Sequence, residues 1–214
     1  EIVEQMKELG LFGATISPEY GGLGLPARTY AEIVMRVSSV WMAITGIFNS
    51  HLMLALAVEK FGTERQKQQW LPKFATGEIR GGLALTEPDA GTDLQSIRMV
   101  ARRDGNAGYV INGTKTWISN GIEGSAVALL VKTDPSAEPR YKGMSLFIAP
   151  KKAGFTVVPV TSFPAITESC PVNTLSKVVL PAPLTPAIPI RSPGPTFQSN
   201  LVNKSRSPTR IVAL

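Results

Sequence analysis

Gly82-Leu83-Ala84-Leu85-Thr86-Glu87-Pro88-Asp89-Ala90-Gly91-Thr92-Asp93 is the stretch at which the chain changes its period. Residues 82–86 read as a strand. Glu87-Pro88-Asp89 reads as a turn, because proline presets φ and aspartate bonds its own backbone. Before this stretch apolar residues recur at helical spacing; after it they fall into short runs separated by Gly, Asn, Asp or Pro. The expected fold class is therefore α+β: an amino-terminal helical bundle, then an antiparallel β-barrel domain, then an irregular Pro-rich tail.

Working back toward the amino terminus, Ile2, Val3, Met6 and Leu9 share a helical face and Gly10 is placed to cap it. Ser17-Pro18-Glu19-Tyr20-Gly21-Gly22-Leu23-Gly24-Leu25-Pro26 is a loop. Helices are expected over 27–40, 49–61 and 64–75, the last two separated by Gly62, with Thr63 as the N-cap of the third. Working forward, strands are expected over 98–103, 109–112, 115–119, 126–132, 144–149 and 155–158. Residues 106–108 and Asn112-Gly113 are turn signals, and the second reads as a hairpin joining 109–111 to 114–118. From residue 160 on, the tail holds nine of the seventeen prolines and one of the nineteen glycines, a composition that argues against a packed core and for disorder. The domains are accordingly expected at 1–78 (helical), 79–159 (β) and 160–214 (tail).

Composition narrows the function classes. With 43% hydrophobic and 18% charged residues the chain reads as a globular protein, and no apolar run of the roughly twenty residues that a membrane-spanning helix needs is evident. The net charge of +6 is no nucleic-acid signature. Lys177, Arg191, Lys204, Arg206 and Arg210 stand against the single acid Glu168 in the tail, and no basic stripe is interleaved with aromatics. The lone cysteine, Cys170, can form no internal disulfide, which suits the cytoplasm or, in a eukaryote, the mitochondrial matrix. A start at Glu1, with no initiator Met and no leader, reads as a fragment or processed product.

Two groups of residues could carry chemistry. In the first, Thr86 can hydrogen-bond a ring edge, Gly91 lets the backbone approach a ligand, and Thr92 offers a hydroxyl and an amide. The same residues also suit a polar surface loop. In the second, Lys115-Thr116-Trp117-Ile118-Ser119-Asn120-Gly121, Trp117 could lie against a flat heterocycle and Ser119 could bond its edge, although a strand Trp is by default core. Glu87 reads as organising its loop rather than as a base. His51, the only histidine, sits in an apolar helix and reads as packed or capping. Cys170 lacks any feature that would depress a thiol pKa, and Tyr20, Trp41 and Trp70 read as core or interface residues. No metal-ligand cluster is apparent.

Taken together, the Thr86-Glu87-Pro88 turn and the Trp117-Ile118-Ser119 strand resemble the acyl-CoA dehydrogenase family. Further matches follow in order: Leu11-Phe12-Gly13, Glu19-Tyr20-Gly21-Gly22-Leu23-Gly24, Lys60-Phe61-Gly62-Thr63-Glu64-Arg65-Gln66-Lys67, and Leu71-Pro72-Lys73 with Gly77. The resemblance covers about residues 1–159. It implies FAD as cofactor, with Leu83, Leu85, Thr86, Gly91, Thr92, Trp117, Ile118 and Ser119 as its contacts, and Thr92 also toward the CoA ester. Leu83 stands where many members carry an aromatic, and Thr92 where Ser is usual.

The reaction so implied is α,β-dehydrogenation of an acyl-CoA thioester to a trans-2-enoyl-CoA, with an electron-transfer flavoprotein as acceptor. In the family a carboxy-terminal helical bundle supplies the carboxylate base and most of the homotetramer interface. That bundle is not recognisable here, so no catalytic residue is assigned, the tetramer is doubtful for this chain, and apolar helix faces are expected to stand uncovered. Two other functions fit the same residues: a non-catalytic flavin or acyl-CoA binding module, and a flavin monooxygenase relative.

Overall fold

The computed structural model describes residues 1–104 and 108–151, together with the backbone of 156–159, 176–178 and 210–213. Three helices come first: α1 (Ile2–Glu8), α2 (Ala27–Phe61) and α3 (Glu64–Ala75). Among the described residues nine strands follow: β1 (Gly81–Ala84), β2 (Val100–Asp104), β3 (Gly108–Asn112), β4 (Thr114–Lys115), β5 (Ala126–Lys132), β6 (Met144–Pro150), β7 (Thr156–Pro159), β8 (Ser176–Val178) and β9 (Arg210–Ala213). The α+β class, helices before sheet, is borne out. Most of the expected disordered tail, and the turn signal at 106–107, lie outside the described residues.

Where two helices were expected over 27–40 and 49–61, a single run spans Ala27–Phe61, interrupted at Trp41, whose φ of −154° and ψ of 92° are not helical. Read as one element it is long and apolar enough to cross a membrane by length and composition, contrary to the reading that no such run exists. Its second half is a core helix: Phe48, Leu52, Leu54, Ala55 and Val58 are buried. Its first half is largely uncovered, with Met35, Val40, Trp41 and Met42 exposed, as expected for unpartnered helix faces. Thr63 caps α3 as expected, accepting from the Gln66 amide while the Gln66 side chain accepts from the Thr63 amide at 2.8 Å.

The main sheet runs β3-β2-β5-β6-β8, with β1 also on β5. It is open among the described strands, not a closed barrel, and it is mixed: β1 and β2 both pair β5 in parallel, whereas β2–β3, β5–β6 and β6–β8 are antiparallel. β5 reads Ala-Val-Ala-Leu-Leu-Val-Lys because both its faces are covered. Ala126, Ala128 and Leu130 join Leu146 and Ile148 of β6 in one core with the helices, while Val127, Leu129 and Val131 join Phe147 and Ala149 in a second core. Adjacent residues on one strand thus belong to opposite cores, as the two-residue period requires.

Two expected strand features are corrected. The hairpin is not turned on Asn112-Gly113: β3 pairs back onto β2, with Asp104 opposite Gly108 and Val100 opposite Asn112, while β4 pairs β9. Gly113 is instead a bend at φ +151°, packed so closely on Met99 that a Cβ would lie 2.7 Å from its Cβ. The strand expected over 115–119 stops at Lys115, because Trp117 and Asn120 take φ of 58° and 60° and curl the chain.

Helices and sheet meet at His51, which is fully buried. Its Nδ1 accepts from the Gly81 amide at 3.2 Å, so Nε2 carries the proton and donates to the Phe74 carbonyl at 3.0 Å. The rings of Phe12 and Phe74 meet it edge-on, with centroids 5.2 and 5.4 Å away. The packed reading of His51 is therefore borne out: one imidazole ties α2 to α3 and to the start of β1. Burial pulls its pKa from 6.5 down to about 4, partly opposed by the Phe74 hydrogen bond. Since the unfolded imidazole titrates near 6.5, its contribution to stability is whole above that pH and is lost as pH falls toward 4, reaching about 3 kcal/mol there. Urea unfolding at pH 7.5 and 4.5 is expected to show this loss in the parent chain and a smaller one in His51→Gln; equal losses in both would contradict the assignment.

Candidate functional site

Leaving β1, the chain turns at Glu87, whose amide donates to the Ala90 carbonyl at 2.8 Å while the Ala90 amide returns a bond to the Glu87 carbonyl at 3.2 Å. This tight turn points the Glu87 carboxylate inward. Oε2 accepts from the Arg98 amide at 2.6 Å, and Oε1 accepts from the Met99 amide at 3.0 Å and from Lys115 Nζ at 2.8 Å. Lys115 Nζ also donates to the Leu85 carbonyl at 2.8 Å. Lys115 is fully buried and Glu87 is 7% exposed. Desolvation draws the Lys115 pKa below its ordinary value, and the Glu87 hydrogen bond opposes that pull.

Glu87 therefore organises the loop, as its residue type suggested. Its partner escaped notice, because a lysine between two threonines looks like the solvent face of a strand. The available signal was the acid itself: a carboxylate folded beneath a turn must find a cation.

The second segment is fastened to the first by the Thr116 amide, which donates to the Thr86 carbonyl at 2.9 Å. Beyond it Trp117 takes its left-handed conformation, and 57% of its surface is exposed, so it is not a core residue. Ile118 is buried among Ala84, Met99 and Val127. Its side chain faces inward, and only its backbone is left for a ligand. Ser119 is exposed. Its carbonyl lies so near Gly82 that a Cβ there would come within 2.4 Å of it. Asn120 closes the loop: Nδ2 donates to the Ile47 carbonyl at 2.8 Å and to the Gly81 carbonyl at 2.7 Å.

Of the nominated residues, Leu83, Leu85 and Thr86 are half-buried along the first segment, beside Trp117, Ile118 and Ser119 on the second. Gly91 opens onto free space, since a Cβ there would meet only the Thr86 methyl, at 3.9 Å. Thr92 is exposed, its carbonyl accepting from the Leu94 amide at 3.2 Å. A separate open hollow of about 540 Å³, lined by residues including Val100, Arg102, Arg103, Tyr109 and Thr133, involves none of these. The geometry predicts that Asn120→Ala loses two hydrogen bonds and a tolerated left-handed residue, costing about 3 kcal/mol. Asn120→Gly should recover about 1 kcal/mol of that, as the conformational part. Urea unfolding of both variants checks the order, and an equal cost would place the effect elsewhere.

Comparison with known proteins places the chain in a family. The model of the acyl-CoA dehydrogenase N-terminal domain matches residues 1–78, and that of the acyl-CoA dehydrogenase middle domain matches residues 82–169. The short-chain specific acyl-CoA dehydrogenase of Bos taurus is 40% identical over 151 residues, 69% of this chain and 35% of that protein. The solved acyl-CoA dehydrogenase from Geobacillus kaustophilus superimposes with a TM-score of 0.64 at 36% identity, over 70% of this chain and 39% of that one. A chain in the structural work on the electron transferring flavoprotein of Acidaminococcus fermentans gives a TM-score of 0.66 at 35% identity, over 71% of this chain and 39% of that one. The chain thus spans about a third of the length of the curated relatives it matches. With two domain models of one family matching in order along a chain that also superimposes on its solved members, the protein belongs to the acyl-CoA dehydrogenase family.

Proposed function

We propose that this chain is the flavin-binding part of an FAD-dependent acyl-CoA dehydrogenase, converting an acyl-CoA thioester to the trans-2-enoyl-CoA. The observation that carries the reading is the Thr116–Thr86 hydrogen bond. It sets the Thr-Glu-Pro turn beside the Trp-Ile-Ser turn and leaves the Trp117 indole bare. The residues fit an isoalloxazine. Trp117 offers a flat face and Leu83 and Leu85 apolar edges, Gly91 gives open room, and Thr86 and Ser119 bring hydroxyls. Thr116 Oγ1 is a buried hydroxyl without a hydrogen-bond partner among the described residues, a polar atom that a ligand edge could satisfy.

When bound, FAD supplies the hydride acceptor. Trp117 would orient the ring by stacking, Thr86 and Ser119 would bond its polar edge, and Thr92 would meet the CoA ester. Removal of the α-proton needs a carboxylate opposite the flavin, held in reach of that proton. Glu87 is unsuited to it, since its oxygens are engaged by two amides and an ammonium beneath the turn. His51 is equally unsuited, because both ring nitrogens are committed in the core. Glu168 lies outside the described residues. We assign no catalytic residue within this chain. The electron acceptor we assign is an electron-transfer flavoprotein, and the compartment a reducing one, cytoplasm or mitochondrial matrix. Residues 1–78 and 79–159 serve as the helical and flavin-binding domains of this reading, with 160–214 as a tail.

The test is the visible spectrum of the chain after incubation with FAD and desalting. Retained flavin bands are expected, with affinity about tenfold weaker in Trp117→Ala, the size of one lost aromatic contact. No retained flavin would defeat the reading for this chain. Bleaching on addition of a short acyl-CoA would reveal a base among these residues, whereas retained but unbleached flavin would identify a binding module that needs its catalytic carboxylate from elsewhere.

A further inference from the structure

Among the described residues Lys115 is the one fully buried cation, and nothing in the proposed chemistry uses it. Its position is specific. Nζ donates at 2.8 Å to the Leu85 carbonyl and at 2.8 Å to Glu87 Oε1, while the next residue donates its amide to the Thr86 carbonyl at 2.9 Å. Three consecutive residues of the first segment, 85 to 87, are thus held by two consecutive residues of the second, 115 and 116. A carbonyl direction fixes the peptide plane that follows it, so these bonds set the Thr86 backbone and the direction in which its side chain leaves it. Two residues beyond Lys115 stands Trp117, exposed and in a left-handed backbone conformation.

We propose that Lys115 is a positioning residue for the cofactor site, acting with Glu87 to fix Thr86 and Trp117 relative to one another; the inference rests on the flavin reading above. An ion pair that served stability alone could be exchanged for neutral groups of similar volume with little consequence, because the desolvation cost of burying two charges offsets most of their attraction. A pair that sets geometry could not be exchanged silently. Methionine keeps the length of the lysine stem but donates no hydrogen bond, so the Leu85 carbonyl loses its partner and the plane before Thr86 is freed.

The decisive comparison is the whole chain against its Lys115→Met/Glu87→Gln double variant, read for cofactor-free thermal midpoint, FAD affinity by flavin fluorescence, and the fluorine resonance of fluorotryptophan at position 117. We expect the midpoint to stay within about 5 °C, the FAD affinity to fall at least about tenfold, and the Trp117 resonance to shift before any FAD is added. Unchanged FAD affinity in a folded double variant would overturn the inference while leaving the flavin reading intact. A parent chain that takes up no FAD would instead defeat the flavin reading; the cofactor-free Trp117 resonance then decides whether the pair positions that residue, an unshifted signal overturning it. If the double variant does not fold, Glu87→Gln alone is expected to lower the midpoint, since it leaves the Lys115 ammonium buried without its carboxylate, and to weaken FAD binding about threefold in the chain that remains folded; equal affinity would again overturn the inference.

Discussion

The geometry of the site depends on a buried ion pair. Taking an ammonium and a carboxylate out of water costs several kcal/mol each, and their attraction repays that only when the remaining donors and acceptors are also matched. Here they are: the Glu87 carboxylate collects two peptide amides and one ammonium, and the Lys115 ammonium adds a peptide carbonyl. The two amides belong to Arg98 and Met99, immediately before β2, so one carboxylate orients the turn after β1 and the entry to the next strand together. Satisfying the charges thus requires the backbone of three separate segments to arrive in register, and any shift would leave a charge stranded in the core.

The junction between helices and sheet is built on the same plan, with peptide groups in place of charges. Gly81 gives its amide to His51 and its carbonyl to Asn120. A Cβ at Gly81 would lie 2.4 Å from Leu54, and one at Gly82 would lie 2.8 Å from the Ser50 hydroxyl. The side chains of Leu54 and Ser50 on the second half of α2 therefore pack directly on the backbone of the first residues of β1. Because Ile47 of α2 also accepts from Asn120, the loop that carries Trp117 is anchored on the helical part as well as on the sheet. Helices and sheet share one core and brace one surface. The boundary near residue 80, where the sequence changes period, is no mechanical hinge.

That change of period made the order of elements legible in advance. Thr63 as a cap, β5 and β6 as apolar runs, and the turn at Glu87 are local signals that local chemistry honours. What escaped was decided at a distance. The parallel pairing of β1 and β2 with β5 joins residues far apart in the chain, so the short spaced strands suggested an antiparallel barrel, whereas the described strands form an open mixed sheet. Asn112-Gly113 carries the chemistry of a hairpin turn, yet the close packing of Gly113 on Met99 uses that glycine for room. The alternation in 115–119 is that of a strand, but the left-handed backbone at Trp117 has no marker in the sequence, and the one at Asn120 only the tolerance of asparagine for that conformation. The candidate site was legible as two motifs; the lysine that locks them together was not.

Trp117 shows what the lock achieves. An aromatic residue held at φ 58° carries a penalty of about 1–2 kcal/mol, and an indole left 57% exposed recovers little of it through burial. Such a conformation persists only if its neighbours over-determine it. They do so on both sides: the Thr116 amide is bound to Thr86 before it, while Ile118 is sunk in the second core and Asn120 is bound to two carbonyls after it. The strain is therefore met by the folded scaffold before any ligand arrives. A flat ligand that stacks on the indole need not spend its own binding free energy on ordering the loop, which is the advantage of preorganisation.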